Sequence, residues 1–287
     1  DAAGLQDRVL GGLYGLLIGD ALGVPFEFRR PEELPPLGEI DVVPRAGFRR
    51  AHPGAPVGAW SDDGAHALCL LASLLHCDGL DLEDLARRLL DWRQRGYMAV
   101  EGLVFDVGIQ TSAALDALRA GVAPEEAGPA EERSNGNGSL MRILPLAFTS
   151  ANDELIAQVS ALTHAHEISK KACQIYIRVA RALLQCKDFT LKEAEPFERL
   201  QNLADLSRDQ IKSSGYVVDS LEAALWCLQT TQTYQDCVLK AVNLGDDTDS
   251  IAAIAGGLAG IKYGFEAIPQ DWIEKLQAKE VIESCLF

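Results

Sequence analysis

Apolar residues recur at three- and four-residue spacing along most of this chain, which is the mark of helices with one buried face. The pattern predicts helices at roughly 63–77, 81–95, 106–120, 139–150, 153–163, 167–186, 217–230, 233–243, 250–264 and 270–280. Leu10, Leu13, Leu16, Leu17 and Ala21 predict one more near the N-terminus, close-packed because Gly11, Gly12, Gly15 and Gly19 leave it little bulk. Alternating patterns are scarce. Only Ile40-Asp41-Val42-Val43 hints at a short strand, so the fold class is all-α. Residues 29–59 carry Pro31, Pro35, Pro36, Pro44, Pro53 and Pro56 and cannot form a continuous helix, so they read as a Pro-rich surface loop. A second irregular stretch runs from Gly121 to Gly138. With no repeat of fixed period and no linker-like composition, 1–287 reads as a single domain.

Composition narrows the function. At 48% apolar residues the chain can bury a sizeable core. A net charge of −16 argues against nucleic acid as a partner, because phosphate neutralisation by Lys and Arg supplies most non-specific affinity. The seven cysteines form no CxxC pair and several lie in apolar helical stretches, as expected for reduced thiols in a cytoplasmic protein. Asp1-Ala2-Ala3-Gly4 shows no basic stretch leading into an apolar one, and the longest apolar run, Ile251 to Ile261, is too short for a bilayer. The expectation is a protein with no membrane partner.

Two acidic clusters carry the candidate chemistry. Ser61-Asp62-Asp63 and Asp247-Thr248-Asp249-Ser250 each stand just before an apolar helix. Either could be an ordinary N-terminal cap, with a hydroxyl at the cap and acids favoured by the helix dipole. Four consecutive acids and hydroxyls exceed what capping needs, however, and like charges that close repel unless something neutralises them. Brought together by the fold, the two clusters could hold two divalent cations, and oxygen ligands favour Mg²⁺ or Mn²⁺ over Zn²⁺. A third motif, Ser134-Asn135-Gly136-Asn137-Gly138, reads either as a turn or as a glycine loop baring N–H groups for a phosphate at a helix start. It has neither a Walker lysine nor a preceding strand, which excludes an ordinary nucleotide-triphosphate loop.

These motifs, in this order, resemble the ADP-ribosylglycohydrolases, over nearly the whole chain. The resemblance rests on Gly12-Leu13-Tyr14-Gly15-Leu16-Leu17-Ile18-Gly19-Asp20-Ala21-Leu22-Gly23 and Pro25-Phe26-Glu27 at the start. Trp60-Ser61-Asp62-Asp63, Phe105-Asp106-Val107-Gly108, Asn137-Gly138 and Thr163-His164 continue it, and Gly245-Asp246-Asp247-Thr248-Asp249-Ser250-Ile251-Ala252 closes it. It implies a compact multi-helix orthogonal bundle that hydrolyses the glycosidic bond linking ADP-ribose to a modified protein residue, arginine first. It implies Ser61, Asp62, Asp63, Asp247, Asp249 and Ser250 as ligands of two Mg²⁺ or Mn²⁺ ions, with Asp62 or Asp249 accepting a proton from the attacking water. By the same resemblance Glu27 is an acid near the metals and Asp106 meets the ribose. Ser134, Asn135, Gly136, Asn137 and Gly138 cradle the phosphates, with His164 against them.

The chain departs from the family at Gly64, where a second Thr is usual, and at Ile109, where the nitrogenase-type relatives carry Asn. Two other readings compete. Isoprenoid synthases also face acidic clusters across Mg²⁺, but their Asp-Asp-x-x-Asp pattern fails after Asp63. A non-enzymatic immunity protein on the same scaffold would instead bind and block an ADP-ribosyltransferase. His52, His66 and His76 read as surface or helix residues, and Trp92, Trp226 and Trp272 as packing.

Overall fold

The computed structural model describes residues 2–286; Asp1, the first residue of the N-terminal reading, and Phe287 lie outside it. The helices are α1 (Ala2–Gly23), α2 (Asp62–Cys77), α3 (Leu82–Arg95), α4 (Ile109–Arg119), α5 (Pro124–Ala127) and α6 (Asp153–Ala161). They continue with α7 (Glu167–Leu184), α8 (Val217–Gln229), α9 (Tyr234–Asn243), α10 (Thr248–Tyr263), α11 (Gln270–Lys275) and α12 (Lys279–Leu286). Short 3-10 turns fill the connections, and no strand occurs among the described residues. The all-α expectation holds.

The centre of the fold is α1 lying antiparallel on α10. Gly11 meets the Gly260 carbonyl, Gly15 that of Gly256, Gly19 that of Ala252, and Gly23 the backbone of Thr248 and Asp249. A Cβ at any of these glycines would fall well inside van der Waals contact of backbone atoms. The four-residue spacing puts all four on one face of α1, so the two helix backbones touch directly. Around them, Tyr234 donates its hydroxyl to the Gly15 carbonyl at 2.7 Å and Tyr176 to that of Ile254 at 2.8 Å. Thr248 donates to the Gly23 carbonyl at 2.7 Å. α10 is buried from Thr248 to Ile261. α1 is itself long and apolar enough to cross a bilayer, contrary to the sequence expectation that counted only Ile251–Ile261, yet it is almost entirely buried within the protein. Its interspersed glycines hide that length from a search for unbroken apolar runs.

Three segments differ from the helical pattern. Residues 139–150 form two 3-10 turns, Leu140–Arg142 and Leu144–Phe148, instead of a helix. Pro145 has no N–H to bond back along the chain, and Arg142 turns inward to hold distant carbonyls. The helix expected at 106–120 begins only at Ile109, which leaves Asp106 in extended chain. The helix expected at 270–280 divides into α11 and α12 around Ala278, whose φ is 54°. The Ile40–Val43 strand does not form either. Ile40 ends a 3-10 turn, and its side chain and that of Val42 plug the core. The Pro-rich segment is therefore only partly a surface excursion.

Gly19→Ala tests the central contact. Its new methyl meets a backbone carbonyl that cannot rotate away, so the cost belongs at the top of the overpacking range, about 3 kcal/mol. Thermal unfolding should show a Tm lower by roughly 5–10 °C. Gly38→Ala, where nothing lies within 4 Å, should leave Tm unchanged. Equal effects from the two would dismiss the contact as a packing constraint.

Candidate active site

The antiparallel pairing of α1 and α10 brings the C-terminal end of one to the N-terminal end of the other. Asp20 and Glu27 thereby reach Asp247 and Asp249, and the start of α2 adds Ser61, Asp62 and Asp63. Gly245, at φ 81°, and Asp246, at φ 56°, make the turn into α10. That turn is pinned by Phe28 N–H donating to the Asp246 carbonyl and Asp246 N–H to the Arg29 carbonyl, at 2.8 and 2.7 Å. Glu27 is held over the site by this pair of bonds.

Asp20 organises the start of α2. Its carboxylate accepts the Ser61 and Gly64 N–H groups and the Ser61 hydroxyl, each at 2.8 Å. The sequence motif includes Asp20 without pointing to a role for it, although the one acid in the apolar stretch from Val9 to Gly23 is a usable signal. Ser61 does cap α2, accepting the Asp63 N–H. Capping is not its whole job. Its oxygen also lies 3.1 Å from Asp63 Oδ2 and 3.1 Å from Asp249 Oδ2, so three carboxylates surround one hydroxyl proton. At α10 the plain capping account fails, because the Asp247 side chain makes no cap bond. It accepts instead from Asn137 Nδ2 at 2.7 Å. Ser250 donates to Asp63, at 3.0 Å to Oδ1 and 3.1 Å to Oδ2, and Asp249 Oδ1 is buried with no partner.

Acceptors therefore outnumber donors, which is the condition a cation relieves. Three overlapping groups have ligand oxygens within 4.8 Å of one another: Asp20, Asp63 and Asp249; Glu27, Asp247 and Asp249; Asp62, Asp106 and Asp249. Burial, aided by mutual repulsion, raises the pKa of Asp62, Asp63 and Asp249 well above the usual range. Burial also lifts Asp20 to about 7 and Asp106 to about 6. His52 is a base beside this cluster: its Nε2 lies 2.6 Å from Glu27 Oε1, and its pKa is raised by that hydrogen bond. The site is correct for hard cations in both its donor atoms and its unmet charge.

A cleft of about 570 Å³ opens above the acids. Glu27, Asp62, Asp106, Asp247 and Ser250 line its floor, and Gly136, Asn137, Gly138 and His164 line it beside them, Asn137 touching Asp247. Ser61, Asp63 and Asp249 lie beneath that floor. Ser134 and Asn135 do not line the cleft. Asn135 accepts the Ser169 N–H and hydroxyl and donates to the Glu132 carbonyl, so its side chain fixes the loop from behind. The loop opens no α-helix, which removes the expected helix dipole from the phosphate reading. Gly64, the departure from the family pattern, has its N–H on Asp20 and its missing Cβ replaced by packing against Trp60 and Leu17. One histidine departs from the sequence reading: His52 is half-buried in a loop and pairs with Glu27, whereas His66 is a helix residue as expected, buried edge-on against Trp92. Trp92, Trp226 and Trp272 are buried packing residues as expected.

Comparison with known proteins agrees with this architecture. The family model of ADP-ribosylglycohydrolase matches residues 1–286. ADP-ribosylarginine hydrolase Tri1 of Pseudomonas putida is 36% identical, covering 96% of this chain and 76% of the relative. ADP-ribosyl-[dinitrogen reductase] glycohydrolase of Rhodospirillum rubrum is 29% identical, covering 96% of this chain and 92% of its own length. A solved structure, an ADP-ribosylglycohydrolase-related protein complex, superposes with a TM-score of 0.77 at 31% identity over 98% of this chain and 96% of that one. The chain belongs to the ADP-ribosylglycohydrolase family and is a hydrolytic enzyme.

Proposed function

We propose that this enzyme cleaves the N-glycosidic bond between ADP-ribose and an arginine side chain of a modified protein, using two divalent cations, Mg²⁺ or Mn²⁺. The observation that carries the reading is the orphaned Asp249 oxygen among carboxylates that converge beneath an open cleft. The arginine linkage is supported by the ADP-ribosylarginine hydrolase activity for which Tri1 from Pseudomonas putida is named, and likewise Tri1 from Serratia proteamaculans, 33% identical to this chain. Ser61, Asp62, Asp63, Asp247, Asp249 and Ser250 would hold the cations, and Asp20 joins the set through its contact with Ser61 and its place beside Asp63 and Asp249. Bound there, the cations would supply Lewis-acid polarisation and a lowered pKa for water.

The chain's own residues do the rest. Asp62 faces the cleft where Asp249 does not, so Asp62 is the better placed to take the proton from water attacking the anomeric carbon. The carbon–nitrogen bond breaks as the oxygen bonds, its electron pair leaves on the guanidine nitrogen, and the proton taken by Asp62 passes to that neutral guanidine. Asp106 and Glu27, on the same floor, meet the ribose on which positive charge develops. Gly136, Asn137, Gly138 and His164 hold the diphosphate and so fix the anomeric carbon in reach. A scaffold that only blocks a transferase gains nothing from uncompensated carboxylates, whose repulsion lowers stability. The seven free thiols fit a reducing compartment such as the cytoplasm.

Peptides ADP-ribosylated on arginine, serine or cysteine, each supplied with Mg²⁺ or Mn²⁺, test the reading. Release from arginine should dominate and should stop on chelation; undiminished turnover after complete chelation would sink the cation model. Asp62→Asn should lower kcat/KM by about 10²–10⁴-fold, the usual worth of a positioned base. Asp247→Asn should shift the cation requirement upward, so that added Mg²⁺ or Mn²⁺ recovers part of the rate.

Asp106→Ala should lower kcat more than it weakens binding of free ADP-ribose, since its charge matters most once the ribose becomes cationic. Equal losses would make it a plain binding residue.

The acids also set a pH dependence for the cation-free protein. A carboxyl whose folded pKa exceeds its unfolded value takes up a proton on folding, so its favourable contribution is complete below about pH 4 and is lost as pH rises towards the folded value. With Asp20 at about 7 and Asp106 at about 6, that window spans roughly pH 4 to 7. In chelator, Tm should therefore be higher near about pH 5 than near about pH 7.5, and Mg²⁺ or Mn²⁺ should restore it at the higher pH. A Tm that rises with pH in chelator would contradict the buried-acid account.

A further inference from the structure

The glycine-loop side of the cleft contains a buried chain of donors that ends at the cleft. Arg142 has no exposed surface. Its Nη1 donates to the Gly138 carbonyl and to Thr163 Oγ1, both at 2.8 Å, and its Nη2 donates to the Val159 carbonyl at 2.7 Å. Thr163, equally buried, makes one further side-chain contact, 2.8 Å from its Oγ1 to His164 Nδ1. His164 lines the cleft, and its Nε2 edge lies beside Gly136 and Gly138, where the missing side chains leave it uncovered.

The direction of the protons follows from what each group can do. A guanidinium only donates, so Thr163 Oγ1 accepts from Arg142. The single hydroxyl proton of Thr163 then has one acceptor in reach, His164 Nδ1. In the opposite arrangement His164 Nδ1 would donate, and the buried Thr163 proton would have nowhere to go, a bias of about tenfold or more against that tautomer. The geometry points to Arg142 and Thr163 as positioning residues that lock His164 in its Nε2–H tautomer, a neutral hydrogen-bond donor aimed at an anionic oxygen in the cleft.

Its neutrality has a physical basis. Glu27, Asp62, Asp106 and Asp247 share the cleft with the ring, but the charge that acts on it most is that of Arg142, which disfavours an imidazolium, as does the buried His66. Burial first, then the Arg142 charge, pushes the His164 pKa down to about 3. The ring is therefore neutral near neutral pH, where its Nε2–H can donate. The same Arg142 fork grips the Gly138 carbonyl, so the donor and the glycine wall move as one piece. The use of that donor, holding the diphosphate of ADP-ribose, rests on the function proposed above. The tautomer does not.

Histidine-labelled full-length protein tests both parts separately. Nitrogen NMR of the five histidines, with His164 identified by its loss in His164→Asn, should show Nδ1 bare and Nε2 protonated, without titration between about pH 5 and 8. An Nδ1–H ring, or titration in that range, would overturn the lock. Thr163→Val should release the tautomer and raise KM about fivefold with kcat unchanged, and Thr163→Ser should restore both. A Thr163→Val protein that keeps the original tautomer would reduce Thr163 to packing and defeat the proposal; if that variant fails to fold, the wild-type spectrum decides alone. ADP-ribose should move the Nε2 resonance. An unmoved Nε2 in a ring that is nonetheless locked would refute its use as a phosphate donor, and the phosphate assignment of the wall with it, while leaving the relay standing.

Discussion

Everything catalytic here depends on two helix backbones touching. Where glycine or alanine stands every fourth residue along α1 and α10, carbonyls and α-carbons approach with no side chain between them. The contact is close because it is bare, and it is bare for long enough to fix register: slipping by one residue would drive a side chain into a carbonyl. That register puts Asp20 and Glu27 at the level of Asp247 and Asp249, so a steric constraint in an apolar core determines where charges meet. The hydrogen bonds from Tyr234, Tyr176 and Thr248 to helix carbonyls support the same alignment from outside.

The acids in turn are tolerable only because of where they stand. Two helix N-termini, of α2 and α10, point their positive ends into the site and offset part of the repulsion. Asp20 goes further by accepting two backbone N–H groups, which is why its carboxylate can sit with no exposure at all. The remainder, Asp249 Oδ1 above all, has no internal remedy. On the function proposed above, stability and cation binding would be linked, since a ligand that completes the site would also remove the repulsion that opposes folding.

Much of this was legible from the chain alone, and the failures share one cause. The helices with a clean three-four apolar rhythm, α2, α3, α7, α8 and α9, appear close to where that rhythm places them. The acid clusters were visible because they violate local economy: a cap needs one oxygen, and each cluster offers several. What stayed hidden depends on partners distant in sequence. Residues 139–150 look helical, but Arg142 gives its donors to Gly138, Val159 and Thr163, and Pro145 removes the bond that a helix would need. Asp20 needed Ser61 and Gly64 beside it to acquire a role, and His52 needed Glu27. In each case the local pattern was read correctly and a tertiary contact outweighed it.

The two walls of the cleft are built from opposite materials. The floor is rigid because helix backbones interlock, and it is negatively charged beyond what its own donors can satisfy. The glycine-loop side has no regular structure; Arg142 buries a positive charge to hold it, spending guanidinium donors on carbonyls and a hydroxyl. A substrate with a polyol at one end and phosphates at the other would meet each surface with the matching group. On the function proposed above, binding and chemistry would be divided: the glycine loop and His164 would contribute neutral donors that act alike on substrate and transition state, whereas the acids would act on charge that appears only during bond breaking. Arg142 and Asp20 then play equivalent parts on the two sides. Each is a fully buried ionisable group, and each fixes its neighbours, Arg142 holding Gly138 and Thr163 and Asp20 holding Ser61 and Gly64.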